Sequence, residues 1–190
     1  FLLCFSGCVE EDKKKNTFDD NNIDDHEDNV NDSDNNTSLD GYEIVAPGIS
    51  GSVPIITVDD SNNPHVIFYE TDDKDLYYAK LINNNWSYES IDSEGDIGDG
   101  HDIVVDSEDV VHVCYRDKTH GSIKYAKKEG NSWADVTIED PSDEGDSVES
   151  SSIDINSEGD PFVVYNIQSN SVPSYLKYAV WEEDSSKLPT

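Results

Sequence analysis

One pattern recurs three times along the chain: an alternating apolar strand, a polar turn and a second apolar run. Few folds are open to a sequence that repeats in this way. Ile55–Tyr69 reads IITVDDSNNPHVIFY, Asp102–Tyr115 reads DIVVDSEDVVHVCY, and Ser152–Tyr165 reads SIDINSEGDPFVVY. Each copy leads to a second signature: Leu76-Tyr77-Tyr78-Ala79, Ile123-Lys124-Tyr125-Ala126 and Leu176-Lys177-Tyr178-Ala179. Alignment superposes Asp59, Asp106 and Asn156, then His65, His112 and Phe162, then Phe68, Tyr115 and Tyr165. The offset is 47 residues between the first two copies and 50 to 53 between the next two.

A period of this size predicts a repeat architecture. Each unit carries four strand candidates. In the first these are Val53–Asp59, His65–Thr71, Leu76–Ile82 and Trp86–Ile91, and in the second Asp102–Asp106, Val111–Asp117, Ser122–Lys128 and Trp133–Glu139. Asn62-Asn63, Glu108-Asp109 and Glu158-Gly159 supply tight turns between the first two strands. The second strands are apolar on both faces, as Val66, Ile67 and Phe68 show, which suits a sheet packed between two neighbours. The expected fold class is therefore all-β: a β-propeller built from four-stranded antiparallel blades, with about three blades present and the ring incomplete. The expected organisation is blade 1 over 42–95, blade 2 over 96–146, a partial blade 3 over 147–182 and a tail over 183–190.

The pattern apolar-x-apolar-Asp-Ser-x-Gly-x-Pro-His-apolar-x-Tyr, followed by Leu-x-Tyr-Ala and a Trp, resembles the repeats of exported bacterial and archaeal β-propellers described as sialidase-like. The resemblance covers about Ser50 to Trp181 and implies a fold. Sialidase activity in that family needs a cluster of arginines and a Ser-x-Asp-x-Gly-x-Thr-Trp box. Here Arg116 is the one arginine, and the box is absent. The resemblance thus implies a propeller without that activity.

The third copy lacks its fourth strand: after Ala179 come Val180-Trp181 and then Glu182-Glu183-Asp184-Ser185-Ser186. Closed propellers have roughly four to eight blades. Either the natural chain is longer or copies assemble, and the cut look of both ends favours the longer chain.

Phe1–Val9, FLLCFSGCV, looks like the end of a secretory signal, and Ser6-Gly7-Cys8 resembles the bacterial and archaeal lipoprotein box, in which the cysteine is lipidated. Residues 9–41 are rich in Asp and Asn and nearly devoid of aliphatic side chains. Such a segment cannot bury enough apolar area to offset its ordering entropy, which predicts a disordered acidic tether. The expected address is exported and cell-surface or extracellular, anchored through a lipid on Cys8. Asn-x-Ser/Thr triplets at Asn31, Asn35, Asn36 and Asn85 arise easily in an Asn-rich chain.

The formal net charge is −31, from 43 acidic and 12 basic residues. A nucleic-acid partner is excluded by the missing basic surface, and so is charge-driven adhesion to an anionic membrane. Cys114, in the run Val111-His112-Val113-Cys114-Tyr115, reads as a buried small hydrophobe. No cofactor is expected, and no zinc spacing, phosphate loop, GxSxG elbow or HExxH is present.

Blade topology places the inter-blade junctions and the loops after each second strand on one face. That junction face would carry Tyr69, Glu70, Asp72 and Asp73, then Asp99, His101 and Asp102, then Arg116, Asp117 and His120, and Asn166. Tyr69, Asp99, His101, Arg116, Asp117, His120 and Asn166 are the candidate ligand-binding residues, suited to a polar ligand such as a glycan, or to a protein. The plainer reading of this face is a solvated acidic rim. Asp92, Glu94, Asp96, Asp143 and Asp146 sit in glycine-containing acidic junctions that could hold calcium. Repetition of His65 and His112 points to a role inside the blade. The leading expectation is a non-catalytic binding module. The alternatives are a glycoside hydrolase or lyase using Asp99, Asp102 and Asp117 as acid and base, and a structural repeat of an envelope protein.

Overall fold

The computed structural model describes residues 43–141, 145–170 and 172–180, all within the unit Asn36–Thr190. Cys8, the acidic tether, Asp143 and Trp181 lie outside these residues. The described chain forms eleven strands and no helix. Four belong to the first repeat: β1 (Gly51–Val58), β2 (Pro64–Glu70), β3 (Leu76–Ile82) and β4 (Asn85–Asp92). Four belong to the second: β5 (Asp102–Val105), β6 (Val111–Asp117), β7 (Ser122–Glu129) and β8 (Ser132–Glu139). The third has β9 (Ser147–Ile155), β10 (Pro161–Gln168) and β11 (Tyr175–Val180). They pair as three antiparallel sheets in the orders β1-β2-β3-β4, β5-β6-β7-β8 and β9-β10-β11. This is an incomplete propeller of two full blades and a three-stranded third.

The first turn of each blade shows why Asp59, Asp106 and Asn156 align. One side-chain oxygen accepts two backbone N–H groups across the turn: Ser61 and Asn63 for Asp59, Glu108 and Val110 for Asp106, Glu158 and Asp160 for Asn156. Such Asx turns close the backbone locally and suit either Asp or Asn. The second atom distinguishes the blades. In Asp59 and Asp106, Oδ2 accepts from Nε2 of His65 and His112, each at 3.1 Å. In Asn156, Nδ2 donates to Asp160 at 3.0 Å, and Phe162 stands in the histidine's place. The other histidine nitrogen, Nδ1, meets Tyr78 Oη at 2.8 Å in blade 1 and Tyr125 Oη at 2.7 Å in blade 2. The repeated histidines therefore tie the turn to the third strand of their own blade, which satisfies polar groups buried in the core.

Burial lowers the His65 and His112 pKa values, against the raising effect of their aspartates. In the fold these histidines take up a proton only at lower pH than in the unfolded chain, which does so near pH 6.5. Their contribution to stability is fully present above about pH 6.5 and is lost as pH falls from there toward the lower folded values, at up to about 1.4 kcal/mol per pH unit for each group. The urea midpoint is expected to be lower at pH 5 than at pH 7.5, and replacing His112 should flatten that dependence.

Apolar side chains fill the gaps between blades. Ile67, Leu76 and Tyr78 of blade 1 pack with Ile103, Val113, Tyr115 and Ala126 of blade 2. Cys114, Ile123 and Tyr125 of blade 2 pack with Ile153, Val163 and Tyr165 of blade 3. Cys114 is a fully buried free thiol, as its apolar run predicts. A polar clamp recurs in each gap. Tyr115 and Lys124 both reach the carboxylate of Asp92 at the end of β4, at 2.9 and 2.5 Å. Tyr165 donates to Glu139 at the end of β8 at 2.6 Å, and Lys177 pairs with the same carboxylate. Blade 1 has Phe68 stacked on Tyr77 in these positions, at 5.7 Å, beneath Val45, Ala46 and Ile49.

Candidate functional site

The junction from β4 to β5 is pinned to both sheets. Ile97 N donates to Lys74 O and Gly98 N to Arg116 O, both at 2.8 Å, and Lys118 N donates to Asp96 O at 2.9 Å. Two glycines allow the close approach. A Cβ on Gly98 (φ +103) would lie 2.7 Å from Leu76 Cβ, and one on Gly100 (φ +70) would lie 2.6 Å from Glu149 O. Both need the left-handed backbone region that glycine adopts without cost. The junction thus lies beside the loops after β2 and β6, the neighbourhood that blade topology predicts.

Most of the candidate residues spend their polar groups on the fold. Tyr69 Oη donates to Asp96 Oδ1 at 2.9 Å, and burial first, then this carboxylate, push the phenol up to about 12. Arg116 makes a two-pronged contact with Glu149 at 3.1 and 3.2 Å and lies 3.5 Å from Asp99, whose other oxygen pairs with Lys118 at 3.0 Å. The guanidinium fork is thereby matched to a carboxylate of the next blade. His101 is buried, with Nδ1 facing Gly98 O and Nε2 facing Val53 O at 2.8 Å. Asp102 accepts from Ser152 Oγ at 2.6 Å and from Ile153 N at 3.0 Å. Asn166 Oδ1 accepts from Ser150 N and Oγ. Tyr69 and Arg116, at equivalent positions, thus reach across to the following junction and the following blade. Asn166 turns back onto its own.

Asp117 and His120 are placed differently. Asp117 is buried, and its Oδ2 lies 2.7 Å from His120 Nδ1 while Oδ1 accepts His120 N at 3.1 Å. The His120 side chain is 62 % exposed. The Asp117 hydrogen bond raises its pKa above the ordinary histidine value. The pair lines a cleft of about 290 Å³ with Glu94, Ser122, Lys124, Thr137 and Asp140. Glu94 follows β4, Asp117 ends β6, His120 lies in the loop after it, Ser122, Lys124 and Thr137 come from the outer strands of blade 2, and Asp140 follows β8. The cleft therefore sits between blades 1 and 2. Its wall mixes hydroxyls, carboxylates, an imidazole and an ammonium, a set that can donate to and accept from a polyol.

Sequence reasoning singles out Asp117, His120 and Glu94 but misses Ser122, Lys124, Thr137 and Asp140. A signal existed for Lys124: a lysine stands between the apolar residue and the tyrosine in both the second and third signatures, at Lys124 and Lys177.

The four described calcium candidates, Asp92, Glu94, Asp96 and Asp146, are not brought together. Asp92 is taken by Tyr115 and Lys124, and Asp96 by Tyr69 and Lys74. Asp146 accepts Asn170 N at 3.1 Å, while Glu94 lines the cleft. Among the described residues no three of His, Cys, Asp and Glu converge as a cation would require.

No known family's sequence profile matches the chain, and no curated protein is similar to it in sequence. Solved structures are similar in fold. A protein of unknown function from Dyadobacter fermentans aligns with a TM-score of 0.57 at 7 % identity, over 73 % of this chain and 40 % of that one. A mutant of AofleA from Arthrobotrys oligospora aligns with a TM-score of 0.50 at 13 % identity, over 78 % and 46 %. A fucose lectin from Kordia zhangzhouensis aligns at 0.48 and 14 %, over 72 % and 97 %. The chain spans less than half the length of the first two, and at these identities the likeness is one of fold.

Proposed function

We infer that this chain is a non-catalytic, surface-displayed sugar-binding module whose ligand sits in the cleft of Asp117, His120, Ser122 and Thr137. The cleft itself carries the reading. It is about 290 Å³, near the lower bound for small-molecule sites and of a size for one or two sugar rings. Its hydroxyls, imidazole and carboxylates match the alternating donors and acceptors of a polyol. The carboxylates of Glu94, Asp117 and Asp140 outnumber the cations of the wall, which favours neutral or amino sugars over sialic or uronic acids. A non-catalytic role is supported by the state of the acid/base candidates. Asp99 is paired with Lys118, Asp102 with the first strand of blade 3, and Asp117 with His120. A lipid on Cys8 and an acidic spacer would display the module outside the cell.

Binding to an array of neutral, amino and acidic glycans tests this. His120→Ala is expected to weaken the best neutral or amino-sugar ligand about tenfold, equivalent to about 1.4 kcal/mol, with the far-ultraviolet circular dichroism of the wild type retained. Release of reducing sugar from any glycoside, or binding confined to acidic glycans, would overturn it.

A further inference from the structure

The turn from β3 to β4 carries a motif that the sugar-binding reading does not use. Asn83 and Asn84 both adopt positive φ, 52° and 61°, the two-residue turn that asparagine tolerates and that suits a tight hairpin. The next three residues, Asn85-Trp86-Ser87, form an Asn-x-Ser triplet without proline, the acceptor pattern for N-linked glycans. β4 begins at Asn85, so strand alternation fixes how the triplet is presented. Trp86 packs on the cluster of Val66, Phe68 and Ala79. Asn85 and Ser87 share the other side of the strand, and both are exposed. The amide and the hydroxyl of the triplet are thus held together on one accessible side. The Asn85 amide donates to Asn83 O at 2.9 Å and has a second N–H.

Blade 2 lacks this arrangement. Ser132 and Ala134 stand where blade 1 has Asn85 and Ser87, on either side of Trp133. The triplets at Asn31, Asn35 and Asn36 lie outside the described residues. β4 is also the outer strand of its sheet, and an outer edge is the kind of surface that a strand of another chain can join. A bulky hydrophilic group at the start of that edge would block such pairing. It would leave the cleft open: β4 has eight residues and spans about 25 Å, and Glu94 lines the cleft beyond its far end.

We propose that Asn85 is an acceptor for an N-linked glycan. The proposal rests on the surface-display reading, because the glycan donor, a lipid-linked oligosaccharide, is used on the outer side of a membrane. In the step, Asn85 Nδ2 bonds to the anomeric carbon of the donor sugar, and the bond from that carbon to the lipid phosphate oxygen breaks. The lipid phosphate leaves with the electron pair, and the amide gives up one proton. Nothing is oxidised or reduced. The Ser87 hydroxyl completes the motif that the transferring enzyme reads.

The full chain tests this when a cleavable secretion signal carries it through a host that transfers glycans to Asn-x-Ser/Thr. Peptide mass mapping, after glycosidase treatment in heavy-oxygen water, reads the occupancy of each asparagine. Asn85 is expected to carry a glycan in most molecules. Ser87→Ala is expected to abolish that occupancy and Ser87→Thr to keep it, while Asn85→Gln removes the mass of one glycan. All three variants are expected to retain the far-ultraviolet circular dichroism of the wild type. An unmodified Asn85 in the secreted wild type overturns the proposal. Because the added signal supplies the export, that result leaves the surface-display reading standing. Unchanged occupancy of Asn85 in Ser87→Ala overturns the proposal as well, since modification would then be independent of the motif.

Discussion

Replacing Asp92 with alanine is expected to lower the free energy of unfolding by about 3 kcal/mol, as removal of one partner from a buried ion pair does. Asp92 ends β4, yet its carboxylate belongs to the packing of blade 2. It accepts the Tyr115 hydroxyl and the Lys124 ammonium from across the gap, and Glu94 N at 3.0 Å from its own side. Its side chain and that of Lys124 are largely withdrawn from solvent. Burial opposes ionisation of Asp92, but the Lys124 bond, the Glu94 N–H and the Tyr115 hydroxyl outweigh it and lower its pKa. The sign follows: this contribution is complete above about pH 3.9, the unfolded value, and is lost as pH falls through the lower folded value. The alanine variant leaves a buried phenol without its acceptor and a lysine with only Asp135, the more exposed partner. Glu139→Ala, in the second gap, is more exposed and should cost about 1 kcal/mol. Urea unfolding at pH 7 checks both, and equal losses for the two variants would contradict the burial argument.

The second large effect lies in the blade rather than between blades. His112→Phe is expected to cost about 2 to 4 kcal/mol, because it removes the buried imidazole from one oxygen of Asp106 and from the Tyr125 hydroxyl at once. The third blade shows how the chain accommodates phenylalanine there: Asn156 replaces the aspartate, and its amide finds Asp160. Adding Asp106→Asn to His112→Phe is therefore expected to recover part of the loss, since it removes the unpaired charge and keeps the Asx turn. A double-mutant cycle measures the coupling. Strict additivity of the two substitutions would show that Asp106 and His112 do not act as a unit.

The same comparison shows what was legible in the residues. The alignment of Asp59, Asp106 and Asn156 was visible, as was the company that each aspartate keeps with a histidine six residues on. Turn closure is local chemistry, so it could be read without a structure. Strand ends fell within a few residues of their expected places: Leu76–Ile82 and Val111–Asp117 coincide, while β1 starts two residues earlier than Val53. The face holding the junction was legible too, because antiparallel connectivity alone fixes which loops share an end. Tyr69 and Arg116 are candidate ligand-binding residues at the ends of the repeat. They prove to be bonded across it, to Asp96 and to Glu149. With 43 acidic residues against 12 basic ones, every cation has many nominal partners, and composition cannot say which is chosen.

The sequence by itself determined the blade: its strands, its turns, its buried histidines and its number of copies. Those features rest on two-residue alternation and on hydrogen bonds spanning a few residues, which neighbours in the chain decide. Only the tertiary structure decided which carboxylates are consumed and which line a cleft. These outcomes depend on contacts between residues 23, 33 or 50 positions apart. At that range the gap between two twisted sheets, rather than the order of residues, sets which side chains can meet.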